Sequence, residues 1–146
     1  MENRFKFRFW NADTNKMIYN VYVGQESVIV PSNKNPMNME ACDFYNPRFV
    51  GKELMQCTGL SDKNGKLIFE SDIVNLISTW GSGVNATGEV KWIKRFAKFV
   101  IYTPERDNPY CHIYNTRDVN DIESLNQFQL NIIGNIHQNP NLIKND

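Results

Sequence analysis

The chain has 146 residues, and its sixteen basic side chains balance sixteen acidic ones. Zero net charge removes the long-range field that draws proteins to phosphate-rich partners, so nucleic-acid binding would need a local patch. At 41% hydrophobic and 22% charged residues, the composition is that of a soluble globular protein able to bury a core without metal or disulfide staples.

The first strand is legible at Phe5, Phe7 and Phe9, which alternate with Arg4, Lys6, Arg8 and Trp10 on the opposite face. Asn11–Lys16 reads as a turn, and Met17–Val23 alternates again, with Met17, Tyr19, Val21 and Val23 opposing Ile18, Asn20 and Tyr22. Together they predict a hairpin. Val28–Val30 is a short apolar run that stops at Pro31, because proline has no amide to donate to a ladder. Met37–Val50 shows no decisive period, and Asn46-Pro47 marks a turn.

Leu54–Thr58 reads as a strand, Asp62-Lys63-Asn64-Gly65 as a hairpin turn, and Lys66–Phe69 as the returning strand. Glu70-Ser71-Asp72 forms a corner before the strand Ile73–Ser78, and the glycine-rich stretch Trp80–Gly88 reads as a loop. Gly88–Ile93 and Phe96–Tyr102 are strands joined by a tight turn at Lys94-Arg95. Tyr110–Tyr114 is a short strand, Asn120–Gln127 a short helix, and Leu130–His137 the closing strand. Asn139-Pro140 opens a terminal helical turn, with proline in the first helical position. Asparagine is frequent, which fits either an AT-rich coding sequence or a loop-rich fold.

The expected fold is therefore mainly β, with an N-terminal hairpin-containing lobe over residues 1–60 and a second unit over 61–146. Five short strands, tight turns and a short helix after Lys66 suit a small, strongly bent barrel better than a flat sheet.

Four segments carry a family resemblance. They are Lys6-Phe7-Arg8-Phe9-Trp10-Asn11 with Lys16-Met17-Ile18, then Leu54–Val74 (LMQCTGLSDKNGKLIFESDIV), then Gly88-Glu89-Val90-Lys91-Trp92, and finally Ile132–Leu142 (IIGNIHQNPNL). In this order they resemble the YopX family of phage and prophage proteins. The signature positions are Leu54, Gly59, Asp62, Asn64, Gly65, Glu70, Asp72, Gly88, Trp92, Gly134, Asn135 and Pro140. The resemblance implies an SH3-like small barrel in the C-terminal half and a phage or prophage origin, but it brings no activity. Ser71 stands where the family usually has glycine, which puts a positive-φ corner there in doubt. Asn11 stands where the family usually has aspartate, and Phe9 adds volume where a small residue is usual.

Few residues invite catalysis. Glu70 and Asp72 would need divergent pKa values to act as an acid–base pair; the plainer reading is a bend in which Asp72 accepts backbone amides. Cys111 and His112 are neighbours in a strand and point to opposite faces, so they do not readily meet. Cys42, Cys57, Cys111 and His137 show no paired ligand spacing, so neither metal nor cofactor is expected. Gly81-Ser82-Gly83 lacks the lysine and helix of a phosphate loop. Trp92, Phe96, Phe99 and Tyr102 read as packing on adjacent strands.

Arg4, Lys6 and Arg8 beside Trp10 form a basic, aromatic ladder that suits single-stranded nucleic acid. The alternative is a solvated face on an edge strand. The N-terminus lacks an apolar run and no segment approaches the roughly 20 apolar residues that span a bilayer. The expectation is a non-enzymatic protein-interaction module in the host bacterial cytoplasm. Its protein partner is unknown, it is a possible homo-oligomer, and nucleic-acid binding through Arg4, Lys6, Arg8 and Trp10 is the alternative.

Overall fold

The computed structural model describes residues 5–23, 28–31, 42–45, 54–78, 86–103, 110–112 and 128–143. The protein is mainly β: among these residues the longest helical segments are three-residue 3-10 turns, Lys94–Phe96 and Pro140–Leu142. The chain divides into two compact units, Met1–Gly59 and Leu60–Asp146.

The first unit holds β1 (Phe7–Asn11), β2 (Lys16–Val23), β3 (Val28–Pro31), β4 (Cys42–Tyr45) and most of β5 (Leu54–Ser61). Their order is β4-β3-β2-β1-β5, antiparallel throughout. β1 therefore lies between two partners and is not an edge strand. β3 ends at Pro31, as the missing amide requires. β4 falls in the segment whose period was undecided.

The β1–β2 hairpin forms, but the alternation along β2 breaks. Phe9 pairs with Ile18 and Phe7 with Val21, with a register shift between Phe7 and Arg8. Asn20 takes a left-handed backbone at φ 58 and absorbs the shift as a bulge. Ile18 and Val21, three residues apart, then join Phe9, Phe7 and Leu54 in one cluster. Tyr19 is left half-exposed, so the expected grouping of Met17, Tyr19, Val21 and Val23 on one face does not hold. Asparagine tolerates this conformation because its short amide adds little steric cost there.

The second unit holds β6 (Leu67–Phe69), β7 (Asp72–Ser78), β8 (Ala86–Ile93), β9 (Lys98–Tyr102), β10 (Tyr110–His112) and β11 (Phe128–Asn135). β10-β9-β8-β7-β11 form a five-stranded antiparallel sheet. Its core is Ile68, Val74, Val90 and Ile101, flanked by Leu60, Leu76, Phe99, Leu130 and Ile132. Each such aliphatic side chain contributes about 1.5–3 kcal/mol by leaving water. Val90 pairs with Ile101 and Val74 with Ile132, so the register places these residues together.

Several boundaries differ from expectation: β5 runs on from Thr58 to Ser61, and the closing strand spans Phe128–Asn135 rather than Leu130–His137. Ala86 and Thr87 belong to β8, which therefore starts two residues before the expected Gly88. Phe96 and Ala97 belong to the connection before β9: Ala97 takes φ 47, and its N–H donates to the Lys94 carbonyl at 3.2 Å. The terminal helical turn forms as 3-10, with Pro140 in its first turn. The expected helix over 120–127 lies outside the described residues.

Candidate functional site

Asp62, Asn64 and Gly65 of the signature form one polar knot, and Glu70, Asp72, Gly134 and Asn135 gather around a second. The first is the turn between β5 and β6. Gly65 takes φ 80 and closes the turn through its N–H to the Asp62 carbonyl at 2.9 Å. Asp62 is buried. Its Oδ1 accepts the N–H groups of Asn64 at 2.8 Å and Lys66 at 2.9 Å. Its Oδ2 accepts the Ile132 N–H of β11 at 3.3 Å. Beside it, the Lys63 N–H donates to the Leu130 carbonyl at 2.8 Å, and Asn64 Nδ2 donates to Asn131 Oδ1 at 3.3 Å. Burial pushes the Asp62 carboxyl upward, but the amides of Lys66, Asn64 and Ile132 and the Asn64 side chain outweigh it, so its pKa falls below the ordinary value.

The second knot is the corner at Glu70-Ser71-Asp72. Asp72 is 1% exposed, and its Oδ2 accepts the Phe69 N–H at 2.8 Å. Ser71 takes φ 67, so the left-handed corner forms without glycine, contrary to the doubt raised by the serine. Two bonds hold it: Ser71 N–H donates to the Val90 carbonyl at 2.8 Å, and Ile136 N–H donates to the Ser71 carbonyl at 3.0 Å. A side chain in this region costs about 1–2 kcal/mol, part of which glycine returns as chain entropy. Ser71→Gly is therefore expected to stabilise the protein by roughly 0.5–1 kcal/mol. The urea midpoint should rise; a fall would mean that the hydroxyl does more than tolerate the turn.

Asn135 pairs with Asp72 across β11 and β7. Its Oδ1 accepts the N–H groups of His137 at 3.1 Å and Gln138 at 2.9 Å, and its Nδ2 donates to Gln138 Oε1 at 2.6 Å. Asn139 does not cap its own 3-10 turn; its Oδ1 accepts the Asn135 N–H at 3.3 Å. A Cβ on Gly134 would lie 2.5 Å from that oxygen and 2.9 Å from Leu142 Cδ1, so glycine here lets the Asn139 side chain reach the Asn135 N–H. Asn11, in place of aspartate, still accepts the Thr14 N–H at 3.1 Å.

The basic ladder is not a continuous exposed face. Lys6 is exposed, but Trp10 is buried and Arg8 is 2% exposed, with its Nε donating to Met55 Sδ at 3.4 Å. Arg4 lies outside the described residues. Alternation could not reveal that Arg8 and Trp10 would be buried as well as Phe9.

The expected aromatic grouping also divides. Trp92 and Phe99 pair across β8 and β9 with ring centroids 4.9 Å apart in an edge-to-face contact. Tyr102 lies under the Lys91 ammonium, 4.4 Å from the ring centroid, and Lys91 also contacts Glu89 Oε2 at 3.0 Å. Trp92 remains 41% exposed.

Cys57 is buried with a free thiol, and its Sγ accepts the N–H of Gly59, a residue at φ 87. Cys42 lies in β4, and Cys111 and His112 lie in β10. Among the described residues no three His, Cys, Asp or Glu side chains are grouped to hold a metal, and no helix is long and apolar enough to cross a membrane.

These features define a two-unit, mainly β protein whose best-placed acidic and amide side chains brace turns. The chain belongs to the YopX family, whose pattern, described as YopX protein, matches residues 6–144. It is also similar to the crystal structure of protein EF1440 from Enterococcus faecalis, at 22% identity over 95% of this chain and 97% of that one, with a TM-score of 0.56. A likeness at that identity carries the fold alone. No curated protein matches the chain.

Proposed function

We propose that this YopX-family protein is a phage- or prophage-encoded accessory protein of the host cytoplasm that works by protein interaction rather than catalysis, with self-association as its first mode. In this reading the second unit is an SH3-like small barrel. The bulge between Ile132 and Gly134 supports that, because it gives the five-stranded sheet the local bend a small barrel needs.

One observation carries the interaction reading. Three large apolar side chains of the first unit stay open to solvent: Phe5 at 64%, Tyr19 at 49% and Val23 at 47%. Phe7 and Val21 are the last pair of the β1–β2 register at that end; Phe5 lies two residues before β1 and Val23 ends β2, while Tyr19 lies within the ladder opposite Arg8. Isolated exposed apolar residues are ordinary, but neighbouring ones at a sheet end form a patch suited to a partner. The carboxylates best placed for chemistry support the same reading, since Asp62 and Asp72 already accept backbone amides.

Light scattering across a concentration series tests the proposal. The wild-type chain is expected to associate, and the double variant F5S/V23S to shift the midpoint to at least tenfold higher concentration. A wild-type chain that stays strictly monomeric and captures nothing from infected cells would reject it.

A further inference from the structure

We propose that Asn64 is a site of spontaneous deamidation, guarded in the folded protein by Asp62 and Asn131, and that its conversion frees the β5–β6 turn from β11. This does not rest on the interaction reading above, because it concerns a covalent change within the second unit.

The chemistry starts from the sequence. Asn64 is the only asparagine of the chain followed by glycine. In such a pair the glycine nitrogen can attack the side-chain amide carbon, because no side chain on glycine obstructs the approach. A bond forms between Gly65 N and Asn64 Cγ, the Cγ–Nδ2 bond breaks, and ammonia leaves with the backbone amide proton. Water then opens the resulting succinimide at either carbonyl and gives aspartate or isoaspartate. Asn64 and Gly65 are both exposed, and nothing lies within 4 Å of an added Cβ on Gly65, so the ring and the water have room.

The fold holds both reacting groups in place. The attacking nitrogen must give up its proton, yet the Gly65 N–H donates to the Asp62 carbonyl at 2.9 Å. The N–H groups of Asn64 and Lys66 are held by Asp62 Oδ1 at 2.8 and 2.9 Å, which fixes the backbone on either side. The leaving amide is also held, since Asn64 Nδ2 donates to Asn131 Oδ1 at 3.3 Å. A carboxylate in the same turn further disfavours the anionic nitrogen that attacks. Ring closure therefore waits for the turn to open locally.

The product cannot rebuild the knot. A carboxylate at this position has no N–H for Asn131, and it repels Asp62, whose charge the Asn64 side chain helps to hold. Isoaspartate also adds a methylene to the backbone between Asp62 and Lys66, which spoils the spacing by which one oxygen collects two amides. Loss of ammonia makes the change one-way.

The test incubates the full chain in neutral buffer, folded or unfolded in guanidinium chloride. Peptide mass spectrometry locates each conversion, and an isoaspartyl methyltransferase assay counts the isoaspartate. Asn64 is expected to convert first among the asparagines of the unfolded chain. In the folded chain its rate should be lower by about tenfold or more, because only the opened turn reacts. D62A is expected to bring the folded-state rate to within about threefold of the unfolded one. N131A keeps the test decisive where D62A does not fold: it should raise the rate about threefold, the value of one exposed hydrogen bond, at a nearly unchanged urea midpoint. Converted protein, separated by ion exchange through its added negative charge, should have a lower urea midpoint than unconverted protein. Equal rates in the folded and unfolded chains overturn the proposal. So does earlier conversion of another asparagine in the unfolded chain, an N131A rate equal to wild type, or converted protein as stable as the original.

Discussion

Asp62→Ala is expected to destabilise the protein by about 3 kcal/mol, read as a lower urea midpoint. Three backbone amides lose a charged acceptor at once: Asn64 and Lys66 within the turn, and Ile132 on β11. A hydrogen bond to a charged group contributes about 1.5–3 kcal/mol, discounted where water can replace it. Asn64 and Lys66 are exposed and recover part of the loss, whereas the half-buried Ile132 amide recovers less. Asp62→Asn keeps one acceptor oxygen for the turn and presents an NH2 group to one of the donors, so it should fall between wild type and alanine. Equal stability of all three proteins would mean that the turn holds without its carboxylate.

The same residue sets an acid response. Its folded pKa is depressed, so ionised Asp62 favours the native state. That contribution is full above the unfolded value of about 3.9 and disappears as pH falls through the lower folded value. Wild type should therefore lose stability on acidification below about pH 4 more steeply than D62N. Parallel pH profiles would remove Asp62 from the account.

The second large effect is expected at Gly88. A Cβ there would lie 2.7 Å from the Tyr102 carbonyl oxygen and 2.8 Å from Thr103 Cγ2, and would also meet Ile101 Cγ2. Ile101 and Thr103 are both buried, and a carbonyl already positioned by the β9 backbone cannot rotate aside. Overpacking costs typically 1–3 kcal/mol, and Gly88→Ala belongs at or above the upper end, a fall in melting temperature on the order of 10 °C. Gly65→Ala isolates the other reason for glycine. Its φ is 80, but nothing lies within 4 Å of an added Cβ, so only the left-handed penalty of about 1–2 kcal/mol applies. A G88A protein less affected than G65A would contradict the observed approach of β8 to β9.

The sequence was most legible where structure is local. Asp62, Asn64 and Gly65 announce a hairpin because their turn chemistry acts within four residues, and strands form on either side, with β5 running three residues closer to the turn than read. Asn139-Pro140 likewise marked the terminal turn. It was least legible where a distant element decides. Arg8 and Trp10 alternate with phenylalanines as an exposed face would, but alternation cannot say that Met55 of a neighbouring strand meets the arginine. Asn20 inverted the faces of half of β2 through one left-handed residue, which no two-residue period reveals. The family pattern singled out Trp92 but not its setting: only the hairpin register places Phe99 against its ring.

β11 ends its sheet, where an open strand would offer bare amides and carbonyls to any passing chain. Lys63 and Asp62 occupy two of those positions, at the Leu130 carbonyl and the Ile132 amide. The turn thus shields a template for cross-strand aggregation. Protonating its carboxylate would weaken the cover at the Ile132 amide alone, because the Lys63 N–H holds the Leu130 carbonyl at any pH.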